Sequence, residues 1–375
     1  MIFLINSSNL KKGGGLQVAD SVCCLLERFP EHYFIVILSS YMQDTQEKIK
    51  HIKNVEVIKY DIKNSISTLL FGRDAFLDEL VKKRKVHGVL TVFGPSRWNP
   101  KCVHLSGFAR AQLVMPNSPY FQQLKWYSCL RERLQNNLLK YMFIRSSSFF
   151  YTENPYVTKL LEQLFKGKFV YTITNYYNQV FDHPELWKRR SLPYFDGVTL
   201  LTVSANYLHK NLPISMKIAR ILKEKYPKFH FRFVFTIEET QFPAIEKEIQ
   251  EHFVFIGKVA ISECPSLYEQ CDVVFLPTLL ECFSANYPEA MKMKRPIVTT
   301  NMEFARGLCG DAAIYYSPLS ADAAATAIYN VCTNVYLRQN LIDAGEKQLE
   351  VYDTYDERAS KLICLLEDLY RQSLN

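Results

Sequence analysis

The 375-residue chain lacks most of the signatures that assign a function quickly. Its ten cysteines follow no metal or disulfide spacing: Cys23 and Cys24 are adjacent, Cys264 and Cys271 are seven apart, and no Cys-x-x-Cys occurs. They read as buried apolar thiols of a reducing cytoplasm. No apolar run is long enough to cross a bilayer. The opening Met1–Asn6 is too short for a signal-peptide core and reads as a first buried strand. Neither Gly-x-Gly-x-x-Gly nor a P-loop pattern occurs, which argues against nicotinamide-dinucleotide and P-loop sites. The second apolar run ends Leu38-Ser39-Ser40, without the acid that a dinucleotide ribose would want. There is no internal repeat and no low-complexity tract.

What is present is an alternation of short apolar runs with helical patterns, over a length that suits two or three domains. Strands are expected near Ile2–Ile5, Phe34–Leu38, Val55–Lys59, Gly88–Val92, Gln112–Met115, Phe149–Tyr151 and Phe169–Thr172. A second series falls near Val198–Ser204, Phe231–Phe235, Val254–Ile256, Val273–Leu276, Ile297–Thr299 and Ala313–Tyr315. Helices are expected between them, notably Gln17–Arg28, Lys210–Lys225 and Ala321–Val331. This order predicts an α/β protein with two doubly wound parallel sheets. Residues 179–196 have no clear period and hold Pro184, Pro193 and Lys188-Arg189-Arg190. They are expected to be a hinge between domains at 1–178 and 197–355, with a last helix at 356–375.

The richest stretch is Leu280-Glu281-Cys282-Phe283-Ser284-Ala285-Asn286-Tyr287-Pro288-Glu289. Two carboxylates stand eight positions apart. An apolar strand precedes them and a short helix follows, at the strand end where open α/β folds bind ligands. In isolation, Asn286 and Glu289 also fit a helix cap, and Glu281 an ordinary loop carboxylate. Upstream, Lys210 follows a strand in Ser204-Ala205-Asn206-Tyr207-Leu208-His209-Lys210-Asn211, and alone would read as a solvated helix-start lysine. After the first strand comes Lys11-Lys12-Gly13-Gly14-Gly15. Such glycines let backbone approach a phosphate or sugar, or simply make a tight turn.

Together these residues resemble the E-x7-E signature of family 4 retaining glycosyltransferases. The resemblance implies a GT-B fold: two Rossmann-like doubly wound parallel-sheet domains facing across a cleft, acceptor on the first and nucleotide-sugar on the second. It implies that Glu289 takes the ribose hydroxyls, that Glu281 faces the donor sugar and reacting centre, and that Lys210 meets the leaving diphosphate. Glu281 and Lys210 are therefore the expected catalytic pair. Gly13, Gly14 and Gly15 are placed near the donor phosphates. The backbone of Phe283, Ser284 and Ala285 serves the sugar or diphosphate, and Gly257-Lys258 the nucleobase. The chain departs from the family where Cys282 and Ser284 replace glycines, and where Ala205 stands in place of an arginine. No Asp-x-Asp occurs, so neither metal nor cofactor is expected, and the nucleotide-diphosphate sugar is a substrate. In GT-B enzymes the last helix often crosses back onto the first domain.

Weaker candidates are Ser96, His104 and Asn117, expected to line the cleft on the acceptor side, although His104 also suits a satisfied structural histidine. The formal charge is +7, with the excess in the first 175 residues, which suits an anionic lipid or nucleic-acid partner or mere solubility. The stretch Phe121–Arg145 mixes aromatics with basic residues and has Glu132 as its one acid. It reads as an interfacial helix for anionic membranes or as a core helix with a basic face. The resulting expectation is a cytoplasmic enzyme, peripheral on the inner membrane face, moving a hexose to a saccharide or polyprenyl-linked acceptor in bacterial surface polysaccharide assembly. A GT-B sugar phosphorylase or epimerase is the alternative. A non-catalytic nucleic-acid-binding module is disfavoured, since no reading motif is present and no nucleic-acid partner is expected.

Overall fold

The computed structural model describes residues 1–11 and 13–374; Lys12, part of the expected glycine loop, lies outside the described residues. The chain forms two compact units. The first takes Met1–Met115, Lys125–Asn175 and Asp353–Asn375, and the second takes Pro116–Leu124 and Tyr176–Tyr352.

The first unit holds seven strands: β1 (Ile2–Ser7), β2 (Tyr33–Leu38), β3 (Val55–Lys59), β4 (Gly88–Thr91), β5 (Val103–Gly107), β6 (Phe149–Thr152) and β7 (Phe169–Thr172). They pair in the order β3-β2-β1-β4-β5-β6-β7, all parallel. Continuous apolar runs such as Phe34–Leu38 are buried on both faces, as a helix-covered parallel sheet requires. The helix Tyr355–Gln372 belongs to this unit. A Thr354–Glu357 capping box starts it, and Leu362, Leu366 and Leu369 share a core with Phe3, Ile5 and Leu90. Gly88 makes that approach possible, because a Cβ there would lie 3.0 Å from the Leu366 side chain.

Two expectations fail in this unit. Gln112–Met115 is not a strand; Ala111–Val114 is a single helical turn. The missing strand is β5, whose His104, Ser106 and Gly107 break the apolar pattern while remaining buried inside the sheet. A four-residue apolar run does not distinguish strand from helix, and the more polar run is the one held by ladder bonds on both sides.

The second unit has six parallel strands: β8 (Val198–Thr202), β9 (Phe231–Phe235), β10 (Phe253–Phe255), β11 (Val273–Leu276), β12 (Ile297–Thr300) and β13 (Ala313–Tyr316), ordered β10-β9-β8-β11-β12-β13. Strand β9 alternates: Phe231, Phe233 and Phe235 enter an aromatic core with Phe242, Phe253 and Phe275. Arg232, on the opposite face, donates to Thr199 Oγ1 and to the Pro193 carbonyl. The expected hinge segment is hydrogen-bonded within this unit. Lys188 N–H donates to Ser262 O, Arg190 N–H to Ser266 Oγ, and Leu192 N–H to Gln270 Oε1.

Candidate active site

Strand order in the second sheet reverses between β8 and β11, and ligands of open α/β sheets bind beyond the carboxyl ends of such strands. The loop after β8 supplies His209 and Lys210, and the loop after β11 supplies Thr278, Glu281 and Ser284. The Lys210 ammonium donates to Glu281 Oε2 at 2.7 Å, and Thr278 Oγ1 donates to the same oxygen at 3.3 Å. His209 Nε2 lies 4.0 Å from it. The two loops are stitched by Leu279 N–H, which donates to the His209 carbonyl at 2.8 Å, while the one Thr278 hydroxyl proton is shared between that carbonyl, at 3.2 Å, and Glu281. A small recess there is lined by the polar side chains of Thr202, Ser204, Lys210, Thr278, Ser284 and Asn286 and by the apolar Leu212, Leu276 and Pro277. The structure thus joins Lys210 and Glu281, 71 residues apart in sequence, into one charge-assisted pair.

Glu289 lies on the helix Asn286–Lys292 and is 4% exposed. Tyr268 O–H donates to its Oε2 at 2.8 Å and Asn286 Nδ2 to the same atom at 3.4 Å; neither bond reaches Oε1. The capping explanation of Glu289 is overturned. The N-cap is Ala285, with no side-chain cap bond, and Asn286 is already helical. Its amide instead bridges Tyr268 O–H and Glu289, while its Oδ1 accepts from Ser284 Oγ. Burial raises the Glu289 carboxyl to about 7, against the lowering effect of the bonds from Tyr268 and Asn286. An ionised Glu289 accepts hydroxyls better than a neutral one. On the role that the resemblance implies for Glu289, donor affinity falls as pH drops from about 8 to about 6, and Glu289→Gln flattens that slope; titration calorimetry at stepped pH reads both.

Sequence reading missed four of these partners. Tyr268, which anchors Glu289, is not among the sequence candidates. Asn286 was expected as a cap, and Thr278 and His209 gave no signal. A strap from earlier in the chain, Pro116–Leu124, also belongs to this unit. Ser118 Oγ donates to Leu279 O at 2.6 Å, Gln123 Nε2 to Asn211 Oδ1 at 2.8 Å, and the Tyr120 ring meets His209 edge-on.

The remaining candidates fall as follows. Gly257 has φ 72°, and a Cβ would come 2.5 Å from Glu238 Oε1, so a glycine is required there. Gly257→Ala should cost roughly 1–3 kcal/mol in urea unfolding, and adding Glu238→Ala should recover only part, because the backbone strain remains. Lys258 beside it is exposed. Phe283 is half-buried edge-on to Tyr352, and Ala285 caps the helix. Gly13, with φ 76°, caps the helix Gly14–Cys24 in the first unit, and Gly15 touches Leu10 and Phe93.

On the acceptor side, the expectations for His104 and Ser96 need correction. His104 is enclosed in the sheet: Nδ1 donates to the Ser146 carbonyl at 2.5 Å, so Nε2 accepts from Thr91 Oγ1 at 2.8 Å, and Thr91 accepts from the Asn6 amide. Burial lowers its pKa to about 4, so it stays neutral and structural. Ser96 is buried and accepts from Trp98 N–H. Asn117 is exposed on the strap. Among the described residues no group of three His, Cys, Asp or Glu side chains is placed to hold a metal, and no helix is long and apolar enough to cross a membrane.

Residues 185–348, which include Lys210, Glu281 and Glu289, match the family Glycosyl transferases group 1. No match was found among curated protein sequences. Solved structures align over nearly the whole chain. Sucrose-phosphate synthase from Thermosynechococcus elongatus has a TM-score of 0.69 at 14% identity, covering 99% of each chain. A glycosyltransferase from Rickettsia africae has 0.68 at 14%, covering 98% of each. Anabaena HepE, in complex with UDP and glucose, has 0.65 at 12%, covering 98% of this chain and 99% of its own. Residues 185–348 thus form a glycosyl transferases group 1 (family 4) domain, set in a fold of two Rossmann-like units, the GT-B fold.

Proposed function

We propose that the loops beyond β8 and β11 hold the diphosphate and sugar of a nucleotide-diphosphate hexose, which is passed with retention to a saccharide or polyprenyl-linked acceptor. The carrying observation is the Lys210–Glu281 pair at the strand-order reversal, with Glu289 on the helix that follows the same loop. Lys210 changes partner when donor binds: its ammonium neutralises the diphosphate and holds the charge that grows on it as the glycosidic bond breaks. Glu281 then faces the sugar. Glu289, fixed through Oε2 by Tyr268 and Asn286, offers Oε1 to the ribose hydroxyls. No protein base is assigned; the departing phosphate takes the acceptor proton. The strap at Ser118 and Gln123 keeps the two loops in place.

HepE is solved with UDP and glucose, so UDP-hexoses are the first donors to try. Family analogy supports bacterial surface polysaccharide assembly as the pathway. The test is a thermal-shift screen against UDP-, GDP- and ADP-sugars, followed by product analysis with the best donor. A new glycoside with the anomeric configuration of the donor supports the reading. A released free sugar epimer, or a sugar phosphate made from a glycoside and phosphate, would replace it with an epimerase or a phosphorylase.

A further inference from the structure

The helix Trp126–Ser146 in the first unit has apolar residues on two opposite faces. One face, with Met142 and Phe143, is buried in the unit. At roughly 100° per residue, Trp126, Tyr127, Leu130, Leu134, Leu138, Tyr141 and Ile144 fall in an arc of roughly 120° on the other side. All seven are exposed, Trp126 at 79% and Leu134 at 63%. Core packing therefore accounts for one face and leaves this one without a partner.

Arg133 and Lys140 border one edge of the stripe and Arg131 the other, all on the same helix. Its one acid, Glu132, is turned away and paired with Arg110 at 2.7 Å. A second segment extends the stripe. Tyr141 O–H donates to Leu70 O, and the Arg145 guanidinium donates to Leu69 O and Thr68 O. These bonds hold the turn Ser67–Phe71 against the helix, with Ile66 72% and Phe71 64% exposed. The patch is long and aromatic-rich, and cations border its helix on both sides.

We propose that this face, helix Trp126–Ile144 with Ile66, Leu70 and Phe71, docks the enzyme on an anionic lipid bilayer. The apolar stripe enters the headgroup boundary and the flanking cations meet lipid phosphates. The charge pattern decides for this occupant: a second copy would set Arg131, Arg133 and Lys140 against their own like, whereas an anionic surface complements all three.

The experiment is flotation of the full-length protein with vesicles of phosphatidylcholine alone, or with about one part in three phosphatidylglycerol, at about 50 mM and about 500 mM salt. Three variants accompany the wild type: Leu130→Glu/Leu134→Glu, Arg131→Glu/Arg133→Glu/Lys140→Glu, and Tyr336→Glu as a control at an exposed aromatic of the second unit. The expected result is binding to anionic vesicles that weakens in high salt, falls about tenfold or more in both stripe variants, and is unchanged in the control. Absence of binding to anionic vesicles overturns the proposal, as does equal loss in the control. A lipid-independent dimer in sedimentation velocity that Leu130→Glu/Leu134→Glu dissociates overturns it in favour of a second copy. Flotation is read without donor or acceptor, so its failure leaves the transfer reading intact.

Discussion

Lys210→Ala is expected to lower kcat by about a hundred- to a thousandfold, with a much smaller change in donor Kd. Removing one preorganised group that stabilises developing charge in a transition state typically has that cost. The ground-state complex loses less, because Ser284 and the adjoining backbone remain in the recess. The substitution also strips Glu281 of its ammonium partner, leaving Thr278 as the donor to its Oε2. The protein should therefore melt somewhat earlier, by an amount that Lys210→Ala/Glu281→Ala partly restores. Steady-state kinetics with the donor found in the screen, paired with thermal melts, separates the two consequences. A variant that melts early yet turns over like the wild type would show that Lys210 serves the fold alone.

Glu289→Ala should act on the other parameter. Charge-assisted hydrogen bonds are each worth about 1.5–3 kcal/mol, so losing the carboxylate should weaken donor binding by roughly 10- to 150-fold. The side chains that hold Glu289, Tyr268 and Asn286, are neutral, so among the described residues its removal strands no paired cation. Removal leaves those two groups bonded to each other, so the stability loss should be modest. Glu289→Gln keeps the shape and should lie between wild type and alanine. Calorimetry that returns wild-type affinity for Glu289→Ala would sink the ribose assignment.

The sequence made the second unit more legible than the first. Runs such as Val273–Leu276 and Phe231–Phe235 are buried on both faces, so composition alone marks them. Strand β5 was hidden because His104 and Ser106 carry polar atoms into the sheet. His104 is satisfied there by Thr91 and by Ser146, 42 residues away, a distance that no local pattern reports. The carboxylates Glu281 and Glu289 were visible through their spacing. Tyr268 and His209 were not, because their roles depend on loops meeting across the sheet end. The strap was less visible still: Ser118 and Gln123 sit in the amino-terminal half of the chain yet bond to the loops that carry Leu279 and Asn211. The stretch Phe121–Arg145 likewise splits, its first residues joining the strap and the rest forming the exposed helix.

The helix Tyr355–Gln372 has one more consequence, for the order in which the protein can be made. Leu362, Leu366 and Leu369 finish a core begun by Phe3 and Ile5, and the whole stretch Tyr176–Tyr352 is translated in between. At about 5–20 residues per second, roughly 10–35 s separate the two halves of that core. Throughout that interval β1 and β4 lack their covering helix, and by its end the second unit has every segment it needs. The later-encoded unit can therefore fold to completion first, and the nascent first unit is the part that a chaperone would have to shield.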